Sequence, residues 1–390
     1  MKRSIRSIAV TTALAAVLTT VLLTGCAFPG GSQTLAKPTS TVADQALEEI
    51  AGQVFSKGPN GETASPPSSA DLTDEEVAQI KSLGLKAAIV MHTGGDDWSQ
   101  AQINGLNSEF ERLGIEVVAT TDAKFDPKTQ VANLQTVMAK KPDIIVSLPT
   151  DPVATAAAYR EAAAGGAKLV FMDNIPDGFE AGKDYVSAVS ADNYGNGVIS
   201  AHLMARALGG QGKIGVVYHD ADFFVTKQRY DGFRTTMEQD YPGIEIIESK
   251  GVGGPDFATQ AQNAAAAMLS KHSELDGIWA VWDVPAEGVL AAARAAGRLN
   301  LKIATEDLGK IVAINMARNT MVVGLGAQVP FDQGVTEARL GAGAFIGKQA
   351  PPYVALPALA VTHENVLDAW KQVYHEDPPA DLQSSFVAGN

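Results

Sequence analysis

KAAIVM (86–91), IEVVAT (115–120), DIIVSL (143–148) and KLVFMD (168–173) are four short runs of β-branched and apolar residues. Helical stretches separate them at 97–113, 128–140 and 151–164. After YVSAVSAD (185–192) the rhythm resumes with KIGVVY (213–218), IEIIES (244–249), DGIWAV (276–281), LKIAT (301–305) and MVVGLG (321–326). Helical patterns near 194–208, 226–239, 257–270, 285–297 and 308–318 alternate with these. A strand that is apolar throughout, rather than at alternate positions, is buried on both faces, as in a parallel sheet covered by helices. Roughly ten such strands exceed one compact sheet, so the pattern predicts two successive α/β units. Ligands of such folds bind at the carboxyl ends of the strands, here between the units.

The flanks of this region are different. Lys2, Arg3 and Arg6 precede an apolar stretch from Ile8 to Leu23, which reads as a signal peptide over 1–25. It ends in Leu23-Thr24-Gly25-Cys26, which resembles the bacterial lipobox. That resemblance implies diacylglyceryl transfer to Cys26, cleavage before it, and a chain tethered to the outer face of the cell membrane. Cys26 is the one cysteine of the 390 residues, so there is no internal disulfide framework and no Cys-rich zinc module. Residues 26–84 are expected to be a linker and short helical pre-domain. The stretch 27–40 is rich in Gly, Pro, Ser and Thr, 43–55 can form a short amphipathic helix, and Thr73-Asp74-Glu75-Glu76 has the spacing of a capping box.

Composition narrows the function. With 44 acidic and 30 basic side chains the formal charge is −14, and removing 1–25 takes away three of the basic ones. No basic stripe exists to neutralise phosphates, which argues against nucleic acid. The six histidines lack the i, i+4 spacing of a helical zinc motif, and no nucleophile elbow or P-loop occurs. His219 with Asp220 and Asp222 reads as a solvated loop rather than a cation site. Neither a metal nor a cofactor is expected.

Several ordered motifs resemble the ribose-binding-protein family, the sugar-binding type I periplasmic binding proteins. They are KAAIVMHTGGDDWSQAQINGLNSEFERLG, VANLQTVMAKKPDIIVSLPTDPVA, the hinge-like VSADNYGNG, QRYDGF and IWAVWDVPAEGVLAAARAAG. The resemblance covers about 85–375. It implies two doubly wound, Rossmann-like α/β domains joined by hinge strands, one from 85–189 and 329–357, the other from 190–328 and 358–380. Residues 381–390 are left as a tail. It also implies a solute-binding subunit of an ABC importer: a monomer, without catalysis, handing a monosaccharide or sugar alcohol to a permease.

The same resemblance nominates the pocket. Trp98 and Phe257 would stack on the sugar ring, and Asp173 and Asp307 would accept from hydroxyls. Arg229 would donate to ring and hydroxyl oxygens, and Gln328 would stand at the second hinge crossing. Asp97, Asn174 and Trp282 depart from the family's residue types at ligand positions, and Asp283 follows Trp282. Carboxylates and amide oxygens accept from hydroxyls, a guanidinium donates in a planar fork, and flat rings cover C–H faces. A carboxylate just past a strand also serves as a helix cap, which is the competing reading for Asp283 and Asp307. Phe223 and Phe224 lie in the loop before Arg229, where one of them can line the cleft. Two other functions fit the same pattern. The aromatic and acidic residues could cage an amine or quaternary ammonium, or the protein could present its bound ligand to a sensory receptor. A secreted enzyme is a third, more distant class.

Overall fold

The apolar runs become parallel strands because only a sheet covered on both faces buries every side chain of such a run. The computed structural model describes residues 39–388. The signal peptide and Cys26 lie outside the described residues.

The first sheet is built from β1 (Lys86–Met91), β2 (Glu116–Asp122), β3 (Ile144–Ser147), β4 (Lys168–Met172), β5 (Ser187–Ala191) and the late strand β11 (Tyr353–Leu356). Its order is β11-β5-β4-β3-β1-β2, parallel throughout. The second contains β6 (Gly212–His219), β7 (Ile244–Val252), β8 (Gly277–Ala280), β9 (Lys302–Glu306), β10 (Val322–Ala327) and β12 (Leu359–Val361). Its order, β12-β10-β9-β8-β6-β7, repeats the first, with β12 antiparallel at the edge. Two lobes thus wind in the same sense. The chain passes between them after β5, after β10 and after β11.

The helices are α1 (Thr39–Ile50), α2 (Asp74–Leu83), α3 (Asp97–Arg112), α4 (Pro127–Met138), α5 (Ala156–Ala164), α6 (Asn193–Leu208) and α7 (Phe224–Asp240). They continue with α8 (Phe257–Lys271), α9 (Asp283–Ala295), α10 (Lys310–Ala317), α11 (Pro330–Gly343), α12 (Val366–Tyr374) and α13 (Ala380–Ser385). Thr73 and Glu76 do form a capping box at the start of α2.

Two helices cross so closely that only glycine fits. A Cβ on Gly197 of α6 would lie 2.1 Å from the Arg229 carbonyl oxygen, and one on Gly232 of α7 would lie 2.2 Å from that of Tyr194. This backbone-to-backbone approach seats Arg229 beneath the carboxyl ends of the second sheet.

The segment before the first sheet is a strap. Fully buried Ala43 holds α1 against the core, where α1 packs on α6. The Phe55 and Ser56 amides then donate to the Asp192 carboxylate at 3.0 and 2.8 Å, and the Tyr194 amide donates to Ser56 Oγ. Gln228 on α7 donates to the Lys57 carbonyl. Eight residues beyond Lys57, Ser65 pairs with β11 in both directions. The strap therefore bonds to both lobes. At the other end of the chain, residues set aside as a tail form α13, anchored by fully buried Leu382 and by the Val387 amide donating to the Ala317 carbonyl.

Candidate ligand-binding site

Most strands of the two sheets turn at their carboxyl ends into a helix, and residues at those ends line the gap between the lobes. Asp173 follows β4 and Asp307 follows β9. Both sit in the left-handed region, at φ 53° and 62°, where aspartate is among the few tolerated non-glycine residues. Trp282 and Asp283 follow β8, Gln328 follows β10, and Trp98 belongs to the first turn of α3.

Seven of the ten nominated residues have a direct place here. Trp98, Asp173, Arg229, Trp282, Asp283, Asp307 and Gln328 line one cavity of about 80 Å³ between the lobes. The remaining three are set back. Asp97 is exposed, and its Oδ2 accepts from the Lys310 amide at 2.8 Å, so it caps α10 of the opposite lobe. Asn174 is buried behind Asp173, with neither side-chain polar atom hydrogen-bonded among the described residues. Phe257 is buried in the aromatic wall, its ring 4.8 Å from Trp282 and 5.4 Å from Phe125.

The cavity also takes residues that sequence reasoning did not nominate: His92, Asp96, Phe125, Leu148, His219, Val225 and Thr226. Phe223, one of the two loop candidates, lines it as well. His92 and Phe125 mark the ends of β1 and β2, so the strand-end rule could have found them. Asp96 is the N-cap of α3, accepting from the Ser99 amide at 2.7 Å. The Asp-Asp pair in GGDDW divides its work: the first faces the cavity, and the second reaches across to α10.

A hydrogen-bond relay organises the floor. Arg229 Nη1 donates to Asp307 Oδ2 at 2.8 Å and to the Val281 carbonyl at 3.3 Å, Nη2 to Asp307 Oδ1 at 3.4 Å, and Nε to Asn193 at 2.9 Å. Gln328 Nε2 donates to Asp307 Oδ1 at 2.8 Å. From the first lobe, Ser190 donates to Asp173 Oδ1 at 2.6 Å, and Asn193 links Ser190 to Arg229. The chain of bonds runs from one lobe's aspartate to the other's.

Burial sets the electrostatics. Desolvation lifts Asp173 to about 6, moderated by Ser190 and by the Arg229 charge. It lifts Asp283 well above the carboxylate range, reinforced by Asp307, Asp96 and Glu287. His92 is pushed down to about 3 by burial, and His219 downward for the same reason, so both are neutral at pH 7. Among the described residues no cluster of His, Cys, Asp and Glu could hold a metal ion, and no helix is long and apolar enough to cross a membrane.

Two α/β lobes of repeated topology, enclosing a hydrogen-bonding and aromatic cavity at their strand ends, define the type I solute-binding class. The chain belongs to the periplasmic binding protein family, whose domain matches residues 87–349. It is 24% identical over 222 residues to the ribose import binding protein of Salmonella typhimurium, a match spanning 56% of this chain and 71% of that one. To the D-ribose/D-allose-binding protein of Pseudomonas aeruginosa it is 27% identical, over 56% of this chain and 66% of that one. Among solved structures, an ABC transporter solute-binding protein of Agrobacterium vitis with bound allitol superposes with a TM-score of 0.65 at 25% identity, over 74% of this chain and 98% of that one. Another from the same organism, bound to α-D-tagatopyranose, shares the fold with a TM-score of 0.68 at 24% identity, over 75% of this chain and all of that one. The relatives are binding proteins, the two structural neighbours solute-binding proteins of ABC transporters, and this chain falls in that class of binding proteins rather than among enzymes.

Proposed function

We propose that this protein captures a monosaccharide or sugar alcohol between its lobes and delivers it, without chemistry, to an ABC permease. The observation that carries this reading is the relay joining Asp173, Ser190, Asn193, Arg229, Asp307 and Gln328 across the cavity floor. It fixes carboxylate and amide acceptors on the cavity floor, with Trp98 and Trp282 on the same lining as apolar ring faces. A hydroxyl missing from the solute would leave a desolvated carboxylate unpaired, which is the basis of selectivity.

The relatives support the ligand class: their names specify ribose, allose, tagatopyranose and allitol. In this proposal the protein is a monomer held at the outer face of the membrane by lipid on Cys26. Its two domains comprise 85–189 with 329–357 and 190–328 with 358–380, and the solute draws them together. A ligand favours the closed arrangement only by its differential affinity for it.

The test is a thermal-shift screen with pentoses, hexoses and sugar alcohols, followed by calorimetry. A solute at a hundred times its dissociation constant stabilises the native state by about 2.7 kcal/mol, a shift of several degrees. No shift with any sugar or polyol, from a well-folded sample freed of bound solute, would sink the proposal. Incorporation of a labelled fatty acid, lost on Cys26→Ala, checks the anchor separately.

A further inference from the structure

We propose that the solute is an aminated polyol, an amino sugar or amino alditol whose ammonium sits between Asp96 and Asp283. This inference rests on the cavity being a polyol site and specifies its ligand further.

The argument begins with the charges that face the cavity. Four carboxylates line it, those of Asp96, Asp173, Asp283 and Asp307, against a single guanidinium. That guanidinium is already committed: both of its terminal nitrogens bond to Asp307, and its Nε bonds to Asn193. Arg229 and Asp307 therefore cancel, leaving three carboxyl groups without a cation of their own; burial raises all three, so an arriving ammonium supplies the counter-charge that lets its partner carboxyl give up its proton to solvent. No ion pair forms to Asp96, Asp173 or Asp283 among the described residues. The two imidazoles on the lining, His92 and His219, are held neutral by burial and supply no charge. The surroundings make the deficit larger, since Glu287 and Asp97 stand close enough to Asp96 and Asp283 to add to it.

The geometry then separates two halves of the cavity. Asp173, Asp307 and Gln328 belong to the relay and present acceptors to hydroxyls. Asp283 lies at the start of α9, with one oxygen on the Val284 amide and the other packed so tightly on Gly309 that a Cβ there would come within 2.0 Å of it. Asp96 approaches from the opposite lobe at the start of α3. Each helix terminus moderates its own carboxylate, but nothing neutralises the pair. Trp98 and Trp282 flank them, one from each lobe, and aromatic faces attract cations.

Independent support comes from unsatisfied groups. Gln328 is 3% exposed and its Oε1 has no partner; His92 is 7% exposed and its Nδ1 has none, although both residues line the cavity. Buried polar atoms are normally paired: the Gln328 oxygen calls for a donor from the ligand, His92 Nδ1 takes whichever role its tautomer leaves, and the unpartnered Trp98 Nε1–H on the same lining calls for one acceptor, which a hydroxyl also supplies. The amide oxygen accepts only, and the carboxylates accept when ionised. A site with this surplus of acceptors fits a solute with a surplus of N–H and O–H donors. An ammonium placed there would be paired, hydrogen-bonded and shielded from water, the condition under which charge pairs contribute most.

Calorimetry at pH 7 with the purified full chain, stripped of bound solute, tests this with matched pairs. D-Glucosamine, D-galactosamine, D-mannosamine, D-ribosamine and 1-amino-1-deoxy-D-sorbitol are compared with their hydroxyl counterparts, with choline and putrescine as hydroxyl-poor cations. We expect at least one amino compound to bind about tenfold or more tightly than its neutral partner. Asp283→Asn should bring that ratio close to one. A neutral sugar binding as tightly as its amino analogue overturns the inference and leaves the polyol reading intact. Choline or putrescine binding as well as the amino polyols overturns both, and so does silence across the set.

Discussion

Asp173 and Asp307 occupy the same position in their two lobes: each follows the third strand of its sheet order, in left-handed backbone, with its amide donating to the neighbouring strand. Asp173 donates to the Val189 carbonyl at 2.8 Å and Asp307 to that of Gly326 at 2.9 Å. Repeated topology has thus delivered one carboxylate from each lobe to a common cavity. Their partners differ. Asp307 holds a buried guanidinium, whereas Asp173 holds hydroxyl and amide donors.

That difference predicts opposite stability effects for the same substitution. Asparagine also tolerates left-handed backbone, so neither change strains the chain. Asp307→Asn leaves Arg229 buried without its counter-charge and should cost about 3–5 kcal/mol. Asp173→Asn removes a desolvated carboxylate and should be neutral or stabilising at pH 7. Both should weaken solute binding tenfold or more. Urea unfolding and calorimetry on the two variants would check this, and equal destabilisation would contradict it.

The pH dependence of the solute-free protein follows from the same burial. Asp173 is raised from 3.8 to about 6, so the stability it contributes is complete below about pH 4 and lost as pH rises through 6. Asp283, Glu306 and Glu337 are raised too, by burial first, and act in the same direction. Glu248, held down to about 2 chiefly by Lys271 and Lys250, acts oppositely, losing its contribution as pH falls from 4.5 towards 2. On these groups stability should peak near about pH 4 and fall from there towards neutrality. From pH 5 to pH 8 the wild type should lose more stability than Asp173→Asn, by a difference of about 1.4 kcal/mol. Identical slopes would remove Asp173 from this role.

The crossing of α6 and α7 makes a sharper structural prediction. Alanine at Gly232 would place its methyl 2.2 Å from the Tyr194 carbonyl oxygen, and backbone cannot yield as a flexible side chain does. The helices must separate, costing about 3 kcal/mol or more, and Arg229 must shift with α7. Gly232→Ala should therefore lower both melting temperature and affinity. Gly253→Ala, with no atom within 4 Å of its added methyl, should change neither.

A fourth prediction concerns the strap. Asp192 is fully buried and accepts from the amides of Phe55, Ser56 and Gly195, at 2.8 to 3.0 Å. Asp192→Ala orphans two buried donors, the Ser56 and Gly195 amides, and the part-buried Phe55 amide, and should cost about 3 kcal/mol. Hydrogen exchange should rise first at residues 52–66, because that segment loses its hold on the start of α6. Exchange confined to α6 would show the strap to be held by other contacts.

Much of this architecture was legible because each strand carried its signal locally, as an unbroken apolar run between helical patterns. β11 and β12 were not: Tyr353–Leu356 and Leu359–Val361 are too short and too close together to show a period. The strap was hidden for a different reason, since its order comes from partners such as Asp192, 136 residues away from Ser56. Within the site, Asp173, Arg229 and Asp307 stood out by chemistry and position. His92 and Phe125 did not stand out by residue type, and only their position just past β1 and β2 marked them. Of the adjacent Asp96 and Asp97 the sequence nominated only Asp97, and the phase of α3 turns Asp96 to the cavity instead.

That separation supports a last prediction. Asp97 lies off the cavity and joins the lobes, its Oδ2 accepting from the Lys310 amide at the start of α10. A carboxylate capping a helix contributes about 1 kcal/mol, and here the cap exists only while the lobes are together. Asp97→Ala should therefore lower the population of the closed arrangement without touching the solute. Apparent affinity falls by the same factor, about three- to tenfold, mostly through faster release. The ranking of sugars and polyols should stay the same, because no contact with the solute is lost. Stopped-flow release and a competition series would measure both. A reordered ranking would place Asp97 against the ligand after all, and unchanged release would mean that the cap contributes nothing to closure.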